Sequence, residues 1–514
     1  MLSAADFEAL WLDVGLASLT LLVFLADAAA PARRSRRGLA YWTFAGLVAL
    51  LVASFVWPPR EGLAFFEKYA SDPWSLYLKQ VLIAVAAIVV LGSVDHVERT
   101  TPRRQADYYL LLLFSLLGMT VLVGATDLIL LVVCFELMGI PLFVLAAIEK
   151  LDLPAPRQSH PSEAAMKFFL VGVVSTPLSL FGLSLVAGLA QTTDIAALTR
   201  TEWSPLMNVG LLMIIAGMGF KVGLVPFHMW VPDTYQAAPT PFVAFLSAAP
   251  KVAGIAALGR VFLYGYSEWK EHWVPVLVVL CVMSLLLGNY SALAQRNTKR
   301  LLAYSGIGHI GYLLLGFICV DELGVATLLF YMAAYAVTNV GAFLVVEAVA
   351  SRGGSDTIAD FNGLAQRAPW LALAMLLFLL SLAGIPFVAG FWAKLYVFIA
   401  AWNAGFEWLV VLGALLAVVA LFYYMQIARA MYMVEPEGDA APLRVAPALR
   451  MAILLSLAGV VGFGAWPSLL LDQAHRAAPP VLAARSAPVS AAVSSRALAD
   501  PVQSLRAELF VGSP

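Results

Sequence analysis

Met218-Gly219-Phe220-Lys221-Val222-Gly223-Leu224-Val225-Pro226-Phe227 sets a lysine and a proline inside an otherwise apolar run. A second stretch, Ser381-Leu382-Ala383-Gly384-Ile385-Pro386-Phe387, repeats the order glycine, apolar, proline, phenylalanine, and Lys394 follows it. A proline lacks the backbone donor that a continuous helix needs, so each run reads as a broken helix. Pro226 and Pro386 are 160 residues apart, a separation of five apolar runs. An odd number of runs turns the second copy over relative to the first. Paired, interrupted helices in two inverted halves point to a transport site near the middle of a bilayer. Prolines also occur singly in membrane helices, but here ionisable residues cluster around both breaks.

Outward from these two breaks the chain stays apolar. Hydrophobic residues make up 62% and charged residues 12% of the 514 positions, which excludes an ordinary soluble domain. Apolar runs long enough to cross a hydrocarbon core of about 30 Å recur along the whole length. They lie near 9–30, 39–57, 74–95, 108–125, 127–148, 163–189, 206–227, 240–264, 272–293, 300–320, 323–350, 370–400, 406–432 and 448–472. The expected fold is therefore an all-α integral membrane bundle of about fourteen transmembrane helices, with two inverted five-helix repeats, each containing a discontinuous helix. Residues 1–107 would form three N-terminal helices, 108–264 the first repeat, 265–435 the second, and 436–472 a C-terminal helix. The Ala/Ser/Pro-rich tail, 473–514, reads as loosely ordered or laid on a partner.

Charge orients the bundle. Loops after odd-numbered runs hold Arg33, Arg34, Arg36 and Arg37, then Arg99, Arg103 and Arg104, and later Arg296, Lys299 and Arg300. Loops after even-numbered runs hold only Arg60, Lys68, Arg200 and Lys270. The positive-inside rule puts the odd loops in the cytoplasm and both termini outside. The first run follows the acidic Asp6 and Glu8 and is too long for a signal-peptide core, so it is expected to stay as a helix.

Several functions find no support. Cys134, Cys281 and Cys319 are scattered, with no CxxC or His/Cys cluster for iron–sulfur or zinc. Neither a GxGxxG after a strand nor a GxxxxGK[ST] motif is present. No cofactor and no metal site is expected on this chain, and no nucleic-acid partner.

The remaining signal is charge at membrane depth. Glu136 sits mid-run in Leu131-Val132-Val133-Cys134-Phe135-Glu136-Leu137-Met138-Gly139-Ile140-Pro141. A charge there costs roughly 2.5–3.5 kcal/mol on insertion scales, so it is retained when paired, hydrated or functional. Lys167, Lys221, Lys251 and Lys394 pose the same problem in the sixth, seventh, eighth and twelfth runs, and His309 in the tenth. Desolvation disfavours a charged lysine and a nearby carboxylate favours it, so a file of such groups can pass charge sideways. Plainer readings exist. Lys167 follows Glu163 at i,i+4 and could be an intrahelical pair. Lys394 could snorkel to the surface, and His309 could be a core histidine bonded to a hydroxyl. Tyr304, Tyr312, Tyr331 and Tyr335 could hold water wires, with aromatic packing the simpler role. His228 and Asp233 fall in the loop expected after the broken seventh helix.

The stretch from Gly219 to Asp233, continuing as Tyr235-Gln236-Ala237-Ala238-Pro239-Thr240-Pro241 and Ala249-Pro250-Lys251-Val252-Ala253, resembles the proton-translocating antiporter-like subunits of respiratory complex I. Glu163-Ala164-Ala165-Met166-Lys167-Phe168-Phe169, Asn289-Tyr290-Ser291-Ala292-Leu293-Ala294-Gln295 and Lys299-Arg300-Leu301-Leu302-Ala303-Tyr304-Ser305 extend the match. Over about 108–435 the chain is most similar to the subunit N family of NADH:quinone oxidoreductase. Subunit M typically carries a glutamate where Lys394 stands, and subunit L is longer. A subunit of a Mrp-type cation/proton antiporter is the alternative. The resemblance implies that Glu136 and Lys221 are a coupled pair, Lys251 a central relay and Lys394 an exit-side lysine. It also implies neighbouring antiporter-like subunits as partners, a bacterial inner-membrane location, and FMN, iron–sulfur clusters and quinone on partner subunits. Gly139, Phe143, Gly306 and Ala393 depart from the residues common in relatives, Gly139 and Gly306 standing where serine is frequent.

Overall fold

A computed structural model describes residues 4–30, 35–150, 159–351, 356–436 and 441–478. The chain opens with α1 (Ala4–Ala29) and α2 (Arg37–Val56). A small hairpin of β1 (Gly62–Ala64) and β2 (Tyr69–Ser71) follows, pairing antiparallel with Leu63 opposite Ala70. Next come α3 (Pro73–Thr100), α4 (Gln105–Leu122), α5 (Leu128–Ala146) and α6 (Ser159–Ala190). The middle of the chain holds α7 (Pro205–Val222), α8 (Trp230–Ala237), α9 (Thr240–Leu258), α10 (Lys270–Leu293), α11 (Thr298–Ile318) and α12 (Glu322–Ala350). It ends with α13 (Leu364–Arg367), α14 (Pro369–Ala383), α15 (Ala389–Asn403), α16 (Glu407–Met433), α17 (Pro447–Ala465) and α18 (Ser468–Ala477).

Among the described residues, 13 helices are long and apolar enough to cross a membrane. One further crossing, the twelfth in chain order, is divided. α14 and α15 have 15 residues each, about 22 Å at the helical rise, too short to span alone. The protein is a multi-pass membrane protein.

Local chemistry sets the helix ends. Asp72 starts α3 with a capping box, accepting from Ser75 N while Asp72 N donates back to Ser75 Oγ, and Pro73 occupies the first turn. Asp127, Ser204, Asn297 and Asp321 cap α5, α7, α11 and α12 in the same acceptor role. The two breaks share one geometry. α7 ends at Gly223 (φ 76°, ψ 35°) and α14 at Gly384 (φ 86°, ψ 35°), both left-handed. Leu224 N then reaches back to Gly219 O and Ile385 N to Leu380 O. Each half-helix thus closes with the bonding of a Schellman motif, which needs a residue free of the Cβ penalty at the turn.

α9 and nearly all of α11 and α12 are buried around their full circumference, and α3 over most of it, so these helices form the centre. α1, α2 and α16 lie outside, exposing large apolar side chains such as Trp42, Phe55 and Phe422.

Three expectations change. The segment after the seventh helix, expected as a loop, forms α8, with Asp233 in its first turn. The hairpin fills what reads from sequence as a simple connection. Residues 473–477, expected in a loose tail, belong to α18, whose Leu470, Ala474 and Ala477 are buried. The tail from 479 onward lies outside the described residues.

Candidate functional site

The sequence-predicted ionisable residues fall into two chambers. In the first, Glu136 on α5 and Lys221 on α7 line one cavity of about 20 Å³ together with Ser175, Thr176 and Ser179 of α6. That is room for about one water. Thr176 Oγ1 donates to Glu136 Oε1 at 2.9 Å. Gly139 makes the space for the lysine head, since a Cβ there would lie 2.6 Å from Lys221 Nζ. Phe143 and Phe220 flank the same ammonium, each ring centroid 5.7 Å away.

The second chamber lies among α9, α11, α12, α15 and α16. Lys251 Nζ donates to Tyr335 Oη at 3.1 Å. Gly306 of α11 keeps this contact open, because a Cβ would stand 2.5 Å from Lys251 Nζ and 3.0 Å from Tyr335 Oη. The Tyr335 ring stacks obliquely on His309, centroids 4.9 Å apart. His309 meets a hydroxyl on each side: Nδ1 is 2.8 Å from Tyr331 Oη and Nε2 3.3 Å from Tyr424 Oη. Tyr424 in turn lies 2.5 Å from Ser305 Oγ. A neutral imidazole has one donor and one acceptor nitrogen, so exchanging tautomers reverses the direction of this hydrogen-bonded chain.

A small void of about 10 Å³ separates His309 from the broken twelfth crossing, lined by Tyr331, Tyr335, Thr338, Ser381, Leu382 and Ala393. Its size is at the lower limit for one water. Beyond it, Lys394 Nζ donates to Leu382 O and Ala383 O, both at 2.9 Å, and sits 4.7 Å from the centre of the Tyr312 ring. These are the last carbonyls of α14. A cation at a helix C-terminus meets unpaired carbonyls and the negative end of the macrodipole. Lys251, His309 and Lys394 are all at least 95% buried.

Lys167 lies apart from both chambers. Its exposed ammonium bridges Glu163 at 2.8 Å and Asp233 at 2.9 Å. Arg300 of α11 holds the other Asp233 oxygen at 2.5 Å. Burial tends to raise the Asp233 carboxyl, but Lys167 and Arg300 outweigh it and hold it below its ordinary range. The network pins α8 to α6 on one side and α11 on the other.

The fold also gives roles to residues that the sequence left open or did not single out. Tyr335, Tyr331 and Tyr424 are hydrogen-bonding members of the second chamber, not only packing groups. His96 of α3 bridges Glu149 at 2.6 Å and Glu347 at 2.8 Å. Arg260, 1% exposed, grips Asp72 through two nitrogens at 2.8 Å and donates to Val123 O. Among the described residues no group of three or more His, Cys, Asp or Glu could hold a metal ion, and the three cysteines are free and buried.

Residues 125–420 match the family described as NADH:quinone oxidoreductase/Mrp antiporter, transmembrane. NADH-quinone oxidoreductase subunit N of Heliobacterium modesticaldum is 41% identical over 446 residues, covering 86% of this chain and 93% of its own length. The subunit N of Moorella thermoacetica is also 41% identical, covering 91% of this chain and 96% of its own. The chain belongs to the subunit N family of NADH-quinone oxidoreductases. A chain of respiratory complex I from Thermus thermophilus, solved with bound aureothin, superposes on this subunit N family member with TM-score 0.76 at 31% identity. That likeness covers 90% of this chain and 98% of the other. A chain of the Mrp complex from Dietzia sp. DQ12-45-1b gives TM-score 0.80 at 22% identity over 93% and 98% of the two chains, a likeness of fold. Both chambers lie almost wholly inside the family match, with Tyr424 just beyond its end.

Proposed function

We propose that this chain is the proton-translocating subunit N of an NADH:quinone oxidoreductase, moving protons through Glu136, Lys221, Lys251, His309 and Lys394 while electron transfer occurs on other subunits. The observation that carries the reading is the second chamber. There, two buried lysines and a histidine lie together: Lys251 donates to the hydroxyl of Tyr335, whose ring leans on His309, and a void near the size of one water separates His309 from the crossing that bears Lys394. Three buried basic groups, with no carboxylate in direct contact among the described residues, repel one another when charged, so protonating one favours proton loss from the next. Glu136 performs the opposite operation in the first chamber. Its negative charge stabilises the protonated form of Lys221, and movement of either group changes that support. Charge shifts arriving from neighbouring membrane subunits would therefore travel along the membrane plane and drive proton transfer across it.

Moving one charge against 100 mV costs about 2.3 kcal/mol, and that energy comes from the redox subunits. FMN, iron–sulfur clusters and quinone belong on those partners, with no redox centre on this chain. We assign the two inverted repeats to 108–264 and 265–435, supported by the matching glycine caps at Gly223 and Gly384. The positive loops support a bacterial inner-membrane location with both termini on the periplasmic side. Lys167 is assigned to the Asp233 network that steadies α8, beside the proton path.

The test is proton pumping by the purified complex in sealed vesicles. Lys221→Ala and Lys394→Ala should assemble with flavin and iron–sulfur subunits yet move fewer protons per NADH oxidised. An unchanged ratio in both would overturn the reading. A preparation without redox partners that exchanges sodium for protons would favour the Mrp-type alternative.

A further inference from the structure

A third cluster of buried charge lies outside both chambers, among the N-terminal helices. Asp13 of α1 is 5% exposed, Lys79 of α3 and Tyr69 of β2 are 1% exposed. Tyr69 Oη donates to Asp13 Oδ2 at 2.8 Å, and Lys79 Nζ contacts both Asp13 Oδ2 and Tyr69 Oη. Asp13 Oδ1 is buried with no hydrogen-bond partner among the described residues. Asp13 stands nine residues into α1 and Lys79 six residues into α3, roughly 13 Å and 9 Å from the helix starts. Both groups are thus buried in the bundle more than a helical turn from the helix starts.

A clamp between α1 and α3 would not require charge. Apolar residues of similar volume hold such a contact as well or better than a buried ion pair. The unpartnered Oδ1 is a further cost for a clamp, whereas for a proton acceptor it is the open lone pair. Tyr69 is held rigidly: Gly124 touches its ring so closely that a Cβ there would lie 2.4 Å from it. Burial, then the Asp13 carboxylate, push the Tyr69 hydroxyl well above its ordinary range, so it stays a donor. α3 is also no bystander. Its Tyr77 hydroxyl donates to Leu329 O of α12, two residues before the Tyr331 that meets His309.

We propose that Asp13, Lys79 and Tyr69 form a third proton-holding site, with Asp13 as the group that takes up and releases the proton. The step is simple: Asp13 Oδ1 accepts one proton from hydronium, leaving water, and later returns it to water as hydronium, while Lys79 keeps its ammonium. The empty cluster is neutral and the loaded cluster carries one positive charge. That charge appears on α3, next to the helix bearing Tyr331. The inference rests on the proton-moving reading of the two chambers and adds a loading site at the hairpin end of the bundle.

The test uses the intact complex in vesicles, with Asp13→Asn and the double variant Asp13→Asn/Lys79→Met. Both should oxidise NADH and move fewer protons per NADH than the parent. A double variant with the parent ratio would reduce the cluster to a clamp and overturn the proposal, even if the single variant failed to assemble. A second measurement is independent of those variants. In redox-driven infrared difference spectra, the protonated carboxyl band of Asp13 should shift in Tyr69→Phe, which removes its hydroxyl donor, and an unshifted spectrum counts against the site. If Lys221→Ala and Lys394→Ala both left pumping intact, the broader reading would fail; a parent ratio confined to the Asp13 variants sinks this inference alone.

Discussion

Lys394 Nζ donates at 2.9 Å to the carbonyl oxygens of both Leu382 and Ala383, so the lysine of one half-helix caps the end of the other. The first break is closed differently: Trp230 Nε1 donates to Phe220 O at 3.1 Å, and Lys221 is left facing Glu136 across the cavity. The cation that stabilises the twelfth crossing is thus the same group proposed to release a proton. Deprotonation weakens the cap, which ties proton loss from Lys394 to the junction of α14 and α15.

Substitution at Lys394 separates these two roles. Arginine retains the charge and the donors but does not release its proton in a protein. Lys394→Arg should therefore assemble and resist heat much like the parent while pumping as poorly as Lys394→Ala. The alanine variant should also lose stability, since each buried carbonyl left unpaired costs about 1–3 kcal/mol. Thermal unfolding and vesicle pumping measured on both variants check this. An arginine variant that pumps normally would remove Lys394 from the proton path.

The glycine beside Lys251 offers a steric test. A Cβ at position 306 would come within 2.5 Å of Lys251 Nζ, the flexible end of its side chain, and 3.0 Å of Tyr335 Oη. Gly306→Ser adds a hydroxyl that can replace the tyrosine as acceptor, so pumping should survive with a small change in rate. Gly306→Val fills the space with methyl groups and separates Lys251 from Tyr335. It should lose most of its pumping while NADH oxidation by an artificial acceptor is unaffected. Equal activity of the two variants would show that the Lys251–Tyr335 contact is not used.

The apolar surroundings explain which residues could be read in advance. Glu136, Lys221, Lys251, His309 and Lys394 stand out because each interrupts a long hydrophobic run, and the fold buries or half-buries all five. Lys79, Asp13 and Arg260 carry the same signal but sit near run ends, where a charge is ordinarily excused as reaching water. Their partners come from distant segments, 66 residues away for Lys79 and Asp13 and 188 for Arg260 and Asp72. Tyrosine gives an ambiguous signal. Its ring suits packing, and only the meeting of α9, α11, α12 and α16 shows that the hydroxyls of Tyr335, Tyr331 and Tyr424 point at Lys251 and His309. α8 was hidden by the prolines and polar residues around it, which read as turn signals.

Lys167 should behave unlike the buried lysines. Its ion pairs are exposed, and solvent and salt screen such pairs so that they add little stability. Arg300 continues to hold Asp233 after the lysine is gone. Lys167→Ala is expected to cost little stability and to reduce pumping much less than Lys221→Ala in a side-by-side vesicle assay. Arg300→Ala/Lys167→Ala together should loosen α8, visible as faster hydrogen exchange over 230–237. A loss of pumping in Lys167→Ala as deep as in Lys221→Ala would return this lysine to the proton path.

Acid sensitivity provides the last prediction, at Asp127. This carboxylate caps α5 through Ile129 N at 2.9 Å and Leu130 N at 3.3 Å, and accepts from Lys68 Nζ and Thr193 Oγ1 at 2.6 Å each. Burial works against the charged form, but Lys68, Thr193 and the backbone donors outweigh it and hold the carboxyl below its ordinary value of 3.8. With a folded pKa below the unfolded one, the stabilisation is complete above the unfolded value and drains away as pH falls through the folded value. Asp127→Asn keeps a capping oxygen but removes the charge. Lys68 is 41% exposed, so the charge contributes on the scale of a surface pair, roughly 0.2–1 kcal/mol. The unfolding temperature of the variant should therefore lie slightly below the parent at neutral pH, and the gap should close below about pH 4. A gap that stayed constant down the acid limb would mean that Asp127 acts through its hydrogen bonds alone.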